Sequence, residues 1–273
     1  MQTIQKPQAK FCGLFATAAV ALSILAGAPA VRAQDIVKLQ FSDGRSNVTG
    51  VENVNAVLRS VGVRVSTLSI PEQAKPILKA SQIRVITPDE QNELISMFNL
   101  HRGQLLEEIK LAGRTPAAPR GGYLSTRESD MPPYPKVFDM KAITPEVRKA
   151  ILNRFGRLHV NTADNGMGID EVMTLVSGGP FTWMFVLPDG VLARLTIDKL
   201  DTNDYAVRLS YPGLGMHAGY LDPTQGLIVA FAHGPERFTV RFEEPSVPHA
   251  ELLNTNAWVD FSGDMPKLRE KVK

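Results

Sequence analysis

Five histidines are the side chains best suited to chemistry near neutral pH: His101, His159, His217, His233 and His249. Glu236 follows closely on His233. Neutral imidazoles with one carboxylate make up many catalytic zinc, iron and manganese sites, with positions left open for substrate. His217 and His233 flank Asp222-Pro223, a turn that would set their strands side by side. His217, His233, Glu236 and His249 are therefore the candidate metal ligands. Their spacing is not that of a local site, because no two histidines stand at i, i+2 or i, i+4. The leading expectation is a protein without a cofactor; the alternative is one divalent metal such as Zn, Fe or Mn.

Arginines offer a second chemistry. Arg194, Arg208 and Arg241 each fall on the polar side of an alternating run. If those runs are neighbouring strands in one register, three guanidinium forks line one face and suit a carboxylate, sulfate or phosphate. If they are not, the same residues are a solvated face with apolar stems. Tyr220 follows the run Gly213-Leu214-Gly215-Met216-His217-Ala218-Gly219 and joins the ligand-binding candidates. That run lies between strands, without the helix a phosphate loop opens, and reads as a hairpin or bulge. The segment Thr162 to Glu171 has the acid density of a calcium loop, but Ile169 stands where that loop needs glycine. Nucleophile elbows, Ser-x-x-Lys and His-Glu-x-x-His are all absent. Trp183 and Trp258 sit in apolar surroundings and read as core.

The elements that must position these residues follow from periodicity. Ile36 to Phe41 reads as a strand, Val51 to Val61 as a helix, and Val63 to Ile70 as a second strand. Thr87-Pro88-Asp89-Glu90 opens a helix with a capping box, and Arg102 to Ala112 forms another, stopped by Gly113. Residues 113–136 hold five prolines and three glycines, which marks a linker or surface loop. Thr144-Pro145 opens a helix to Phe155, with Val147, Ala150, Ile151 and Phe155 inward. From Leu158 the period shifts to two, in runs around 191–197, 205–211 and 238–242 separated by Pro/Gly turns. Phe181 to Leu187 and Leu227 to Ala232 do not alternate and should be covered on both faces. The fold class expected is α+β. A helical N-terminal half, with a small α/β and helical region over 34–112, precedes a β-rich antiparallel half over 137–273, sandwich or jelly-roll-like.

The first 33 residues read as an export signal. Lys6 and Lys10 precede an apolar run from Phe11 to Ala30, and Val31-Arg32-Ala33 suits a signal peptidase, so cleavage is expected before Gln34. Removal takes Lys plus Arg from 30 to 27 against 28 acids, so the formal charge of +2 becomes −1. It also removes Cys12, the only cysteine, and with it disulfides, thiol nucleophiles and thiolate metal sites. No basic block suits a nucleic acid, and no later segment reaches the roughly 20 apolar residues of a membrane span. The expectation is a soluble periplasmic or secreted protein. Its partner would be a small ligand, anionic if the arginines meet, or another periplasmic protein. The alternative is a metal-dependent enzyme with a His/Glu site in the β-rich region.

Overall fold

The computed structural model describes residues 36–115, 127–128 (backbone), 134–201, 205–234 and 237–272. The expected export signal, most of the 113–136 segment and Glu236 lie outside them. The chain runs β1 (Val37–Phe41), β2 (Val48–Thr49), α1 (Val51–Leu58), β3 (Arg64–Ser69), α2 (Lys75–Ser81), α3 (Pro88–Met97) and α4 (Arg102–Leu111). It continues through β4 (Arg127–Glu128), β5 (Lys136–Asp139), α5 (Pro145–Phe155), β6 (Val160–Thr162), β7 (Asp170–Gly178), β8 (Phe181–Val186) and β9 (Leu192–Ile197). It ends with β10 (Tyr205–Tyr211), β11 (His217–Tyr220), β12 (Gly226–His233), β13 (Arg237–Arg241), β14 (Val259–Asp260) and β15 (Lys267–Leu268).

Two five-stranded antiparallel sheets face each other. The first has the order β11-β8-β9-β1-β2 and the second β3-β10-β7-β12-β5. Leu39, Phe41, Trp183, Phe185, Leu195 and Ile197 of the first pack against Met173, Leu175, Val207, Leu209, Ile228 and Ala230 of the second. The outer face of the second sheet, with Val172, Leu227, Val229 and Phe231, lies under Leu78, Leu94, Leu105 and Ile109 of α2–α4. The outer face of the first sheet, with Met184, Val186 and Ala218, lies under Leu253, Trp258 and Val259 of the C-terminal segment. Both faces of each sheet are thus covered, and this is why β8 and β12 are buried at every position.

A helical N-terminal half does not form. The early strands belong to the same sheets as the late ones: β1 pairs with β9 along Val37↔Ile197 to Phe41↔Ala193, and β3 pairs with β10 along Arg64↔Ser210 to Ser69↔Tyr205. The helices are short and serve as covers. Their sequence signals are local and strong, which made that region look helical. Thr87 Oγ1 accepts from Glu90 N at 3.2 Å while Thr87 N donates to Glu90 Oε2 at 2.7 Å, a capping box. No helix of the described residues is long and apolar enough to cross a membrane.

Helix α5 is rotated from its expected setting. Val147 is exposed, and Arg148 and Leu152 are buried. The Arg148 guanidinium explains the turn: Nη1 donates to the carbonyls of Asp222 (2.7 Å) and Pro223 (2.6 Å), and Nη2 to that of Met140 (3.2 Å). Three carbonyls on one buried guanidinium fix the helix against the strand β11 exit. That places Ile151 and Phe155 over one end of the space between the sheets.

Candidate functional site

A cavity of about 80 Å³ lies between the two sheets. A single water needs roughly 10–15 Å³ on this measure, so the space admits a small molecule. Half-buried Phe138, Ile143, Ile151, Phe155 and Leu221 line it together with buried Trp183, Ile228 and Phe238. The polar lining residues are His159, His217, Asn161, Glu171, Tyr134 and Tyr211. No arginine or lysine lines it among the described residues.

Strand register brings the polar residues together. His159 and His217 are 58 positions apart yet form a cross-strand pair: His159 N donates to His217 O at 2.8 Å and His217 N to His159 O at 3.0 Å. Residues paired in this way send their side chains to one face, and the two rings meet with centroids 4.5 Å apart. Asn161 lies two residues past His159 on β6, hence on the same face. Gly213 makes this approach possible. A Cβ there would stand 2.1 Å from Ile169 N and 2.5 Å from Asn161 O, and Asn161 N donates to Gly213 O at 2.8 Å. Glu171 projects from β7 to the same side as Met173 and Leu175, into the space between the sheets.

The hydrogen bonds settle the imidazole tautomers. His159 Nδ1 lies 2.7 Å from Arg157 O, and His217 Nδ1 lies 2.7 Å from Gly215 O. A carbonyl only accepts, so both Nδ1 atoms carry the proton and both Nε2 atoms present lone pairs. Burial pushes the His217 pKa down to about 4, and burial together with the His217 ring holds His159 well below its ordinary value. Both rings are neutral at pH 7. The 3.8 Å separation of His217 Nε2 from Glu171 Oε2 is therefore not an ion pair at that pH.

Glu171 is held by neutral donors. Tyr134 O–H donates to Oε1 at 2.8 Å and Asn161 Nδ2 to Oε2 at 2.8 Å. Burial raises its pKa, opposed by hydrogen bonds from Tyr134 and Tyr211, by the charge of Lys136 and by the Asn161 amide. Asn161 Nδ2 also donates to His217 Nε2 at 3.3 Å, while Asn161 Oδ1 is buried without a partner.

This donor set, two neutral imidazoles and one carboxylate beside an orphaned amide oxygen, suits zinc, manganese or iron by chemistry. Outward Nδ1–H bonds to carbonyls are also how metal-binding histidines are oriented. As the side chains stand, no three His, Cys, Asp or Glu among the described residues form a group that could hold a metal ion. The Asn161 amide occupies the gap between Glu171 and His217.

Of the residues singled out by sequence, only His217 joins this cluster. His233 lies on the other side of the second sheet, paired in register with Asp170, its Nδ1 3.8 Å from Asp170 Oδ2. His249 is near the surface, with Nε2 3.0 Å from Pro188 O. Glu236 lies outside the described residues. The arginines stand in three different sheets. Arg194 donates to Arg269 O at 2.6 Å and to Gln40, and lies 4.5 Å over the Trp258 ring. Arg208 donates to Thr174 Oγ1 at 3.2 Å and faces Glu108 at 3.8 Å. Arg241 donates to Thr162 Oγ1. Tyr220 O–H donates to Pro266 O at 2.9 Å and accepts from Leu268 N at 3.2 Å, and burial pushes its pKa up to about 12. His159, Asn161, Glu171, Tyr134 and Tyr211 were not among the sequence candidates. The legible trace was His159 and Asn161 at i, i+2 in a β-like run; a search for paired histidines passes over it.

No family model matches the chain, and no curated protein matches it. Among solved structures it is similar to acireductone dioxygenase from Bacillus anthracis with a cadmium ion in its active center. The identity is 14%, the TM-score 0.49, and the match covers 74% of this chain and 95% of that one. The cadmium and the activity are stated of that protein, and at this distance neither passes to this chain. The expectation of no cofactor is withdrawn on this chain's own residues: the inner cluster gathers two neutral imidazoles, a carboxyl and an amide oxygen, donors suited to a metal.

Proposed function

We infer that the protein is a metal-dependent enzyme acting on a small, largely apolar molecule held between its sheets. His159, His217 and Glu171, with Asn161 beside them, are the residues that would hold the metal, at the polar part of the cavity. When bound, a metal there would supply Lewis acidity toward an oxygen of the substrate. The protein's own residues do the rest. The carbonyls of Arg157 and Gly215 keep the two imidazoles oriented. Trp183, Phe238 and Ile228 exclude water and take up the substrate's apolar body, and Ile151 and Phe155 of α5 border its entry. Among the described residues no cationic side chain lines the cavity, which favours a substrate whose charge, if any, is directed at the metal. One observation carries this reading: two neutral imidazoles with Nδ1 tied to carbonyls and a buried carboxyl converge on one apolar cavity.

Metal analysis of protein produced with Mn, Fe and Zn in the medium tests it. One equivalent of bound metal, lost in His217→Ala and His159→Ala, is the expected result. Less than a tenth of an equivalent in the parent protein contradicts it. Export belongs to the same proposal and is supported by the composition of residues 1–33 alone. N-terminal sequencing of protein recovered from the cell envelope should begin at Gln34, and a start at Met1 would reject it.

A further inference from the structure

We propose that the Asn161 amide is a two-position gate on cation binding. The proposal rests on the metal reading of the cluster. In the position seen, Asn161 Nδ2 spends its two hydrogens on Glu171 Oε2 at 2.8 Å and His217 Nε2 at 3.3 Å. Those two acceptors are 3.8 Å apart, and the amide nitrogen fills the gap with partial positive charge where a cation would sit. Two atoms bound tetrahedrally to one zinc at about 2.0–2.2 Å lie about 3.4 Å from each other, so the gap must also tighten a little when a metal enters.

The other end of the same amide gives the second observation. Asn161 Oδ1 is buried, in a side chain only 2% exposed, and has no hydrogen-bond partner. Leaving a buried acceptor unpaired is unfavourable, so this position is stable only through the two bonds Nδ2 makes. Half a turn about the terminal torsion exchanges the ends. Oδ1 then meets the His217 lone pair and the Glu171 oxygen, three acceptors facing each other with no hydrogen between them. A metal cation, or a proton taken up by Glu171 or His217, resolves that repulsion. Turned in, Oδ1 becomes a neutral oxygen ligand; turned out, Nδ2 bars the site. Each binding event must break two hydrogen bonds, so the amide lowers cation affinity below that of the same ligands without it.

Aspartate at this position has no N–H with which to bar the site and adds a negative charge to the ligand set. Affinity should follow the charge of the ligands. The test titrates Zn²⁺ into the chelator-treated full chain and into Asn161→Asp by calorimetry. In parallel, the Asn161 side-chain amide is followed by ¹⁵N-edited NMR and assigned by its loss in the variant. We expect one Zn²⁺ per wild-type chain, with a dissociation constant lowered about tenfold or more in Asn161→Asp. The wild-type amide protons should be slow to exchange without metal and fast with it. Equal affinity in the two proteins, with an amide signal that Zn²⁺ leaves unchanged, overturns the gate and leaves the metal site standing. Zn²⁺ binding by neither protein overturns the metal reading and the gate with it. Should Asn161→Asp fail to fold, the wild-type amide is assigned instead through its connection to the Asn161 backbone resonances, and a signal that Zn²⁺ leaves unchanged overturns the gate.

Discussion

Asp170 and Glu171 are consecutive on β7 and point to opposite faces of the same sheet, into two buried polar clusters of different character. On the outer side, Asp170 Oδ2 lies 2.9 Å from Arg114 Nη1, Oδ1 accepts from Gly213 N at 3.2 Å, and Arg114 Nη2 donates to Ser210 Oγ at 2.7 Å. Burial lowers the Arg114 pKa and Asp170 opposes the shift, so the charges compensate one another. On the inner side, Glu171 is gripped by phenol and amide donors with the Lys136 charge acting on it as well, its pKa is raised by burial, and the facing imidazoles are neutral. The outer carboxylate is paired directly with a guanidinium, which ties the segment after α4 to the sheet. The inner carboxyl has a cavity in front of it. A buried, compensated ion pair is a structural fastener. A buried carboxyl among unprotonated imidazoles beside a cavity is the kind of perturbed cluster that functional sites use.

The largest separation between the two clusters should appear in stability. Removing one partner of the outer pair, as in Asp170→Ala or Arg114→Ala, strands a buried charge and should cost about 3–5 kcal/mol in urea unfolding. Glu171→Gln swaps a strained carboxyl for a neutral amide and should change stability by about 1 kcal/mol or less while abolishing metal uptake. Equal losses at both positions would erase the distinction.

Acid should affect the inner cluster next. The His217 pKa is depressed in the folded state, so its contribution is complete above the unfolded value of about 6.5. That contribution is lost as pH falls toward about 4. His159 acts in the same direction, and the raised Glu171 opposes both. Two imidazoles against one carboxyl give a net loss, at up to roughly 1.4 kcal/mol per pH unit for each histidine. Thermal melts of the chelator-treated protein from pH 7 to 4 should show it. A flat profile would mean the rings are not buried neutral.

The smallest effects should come from residues that sequence reading favoured but that lie away from the cavity. Tyr220→Phe removes one hydrogen bond to Pro266 O and should cost about 0.5–1.5 kcal/mol, with metal binding unchanged. A loss of metal binding in that variant would tie the C-terminal segment to the site.

Local features of the fold were legible. The Thr87 capping box, the Thr144 start of α5 and the doubly buried runs of β8 and β12 all follow from residue types within a few positions. What was not legible is what depends on register. Nothing near Val37 announces a partner at Ile197, and nothing near Val65 announces Leu209. A region of clear helix signals therefore looked helical, although its strands complete both sheets. The site failed to show for the same reason. His159 meets His217 only because two strands pair backbone to backbone, and Glu171 sat in a stretch that resembled a loop. The arginines were read from alternation, which is a property of single strands and says nothing about which sheet each strand joins.

The central claim is that the inner cluster, and neither His233 nor His249, holds the metal. Crystals grown with Mn²⁺ or Zn²⁺ and measured at the metal's absorption edge test it most directly. One anomalous peak is expected within coordination distance of His159 Nε2, His217 Nε2 and a Glu171 oxygen, with Asn161 Oδ1 turned toward it. A peak at His233 or His249 instead, or no peak between the sheets at full metal loading, would contradict it.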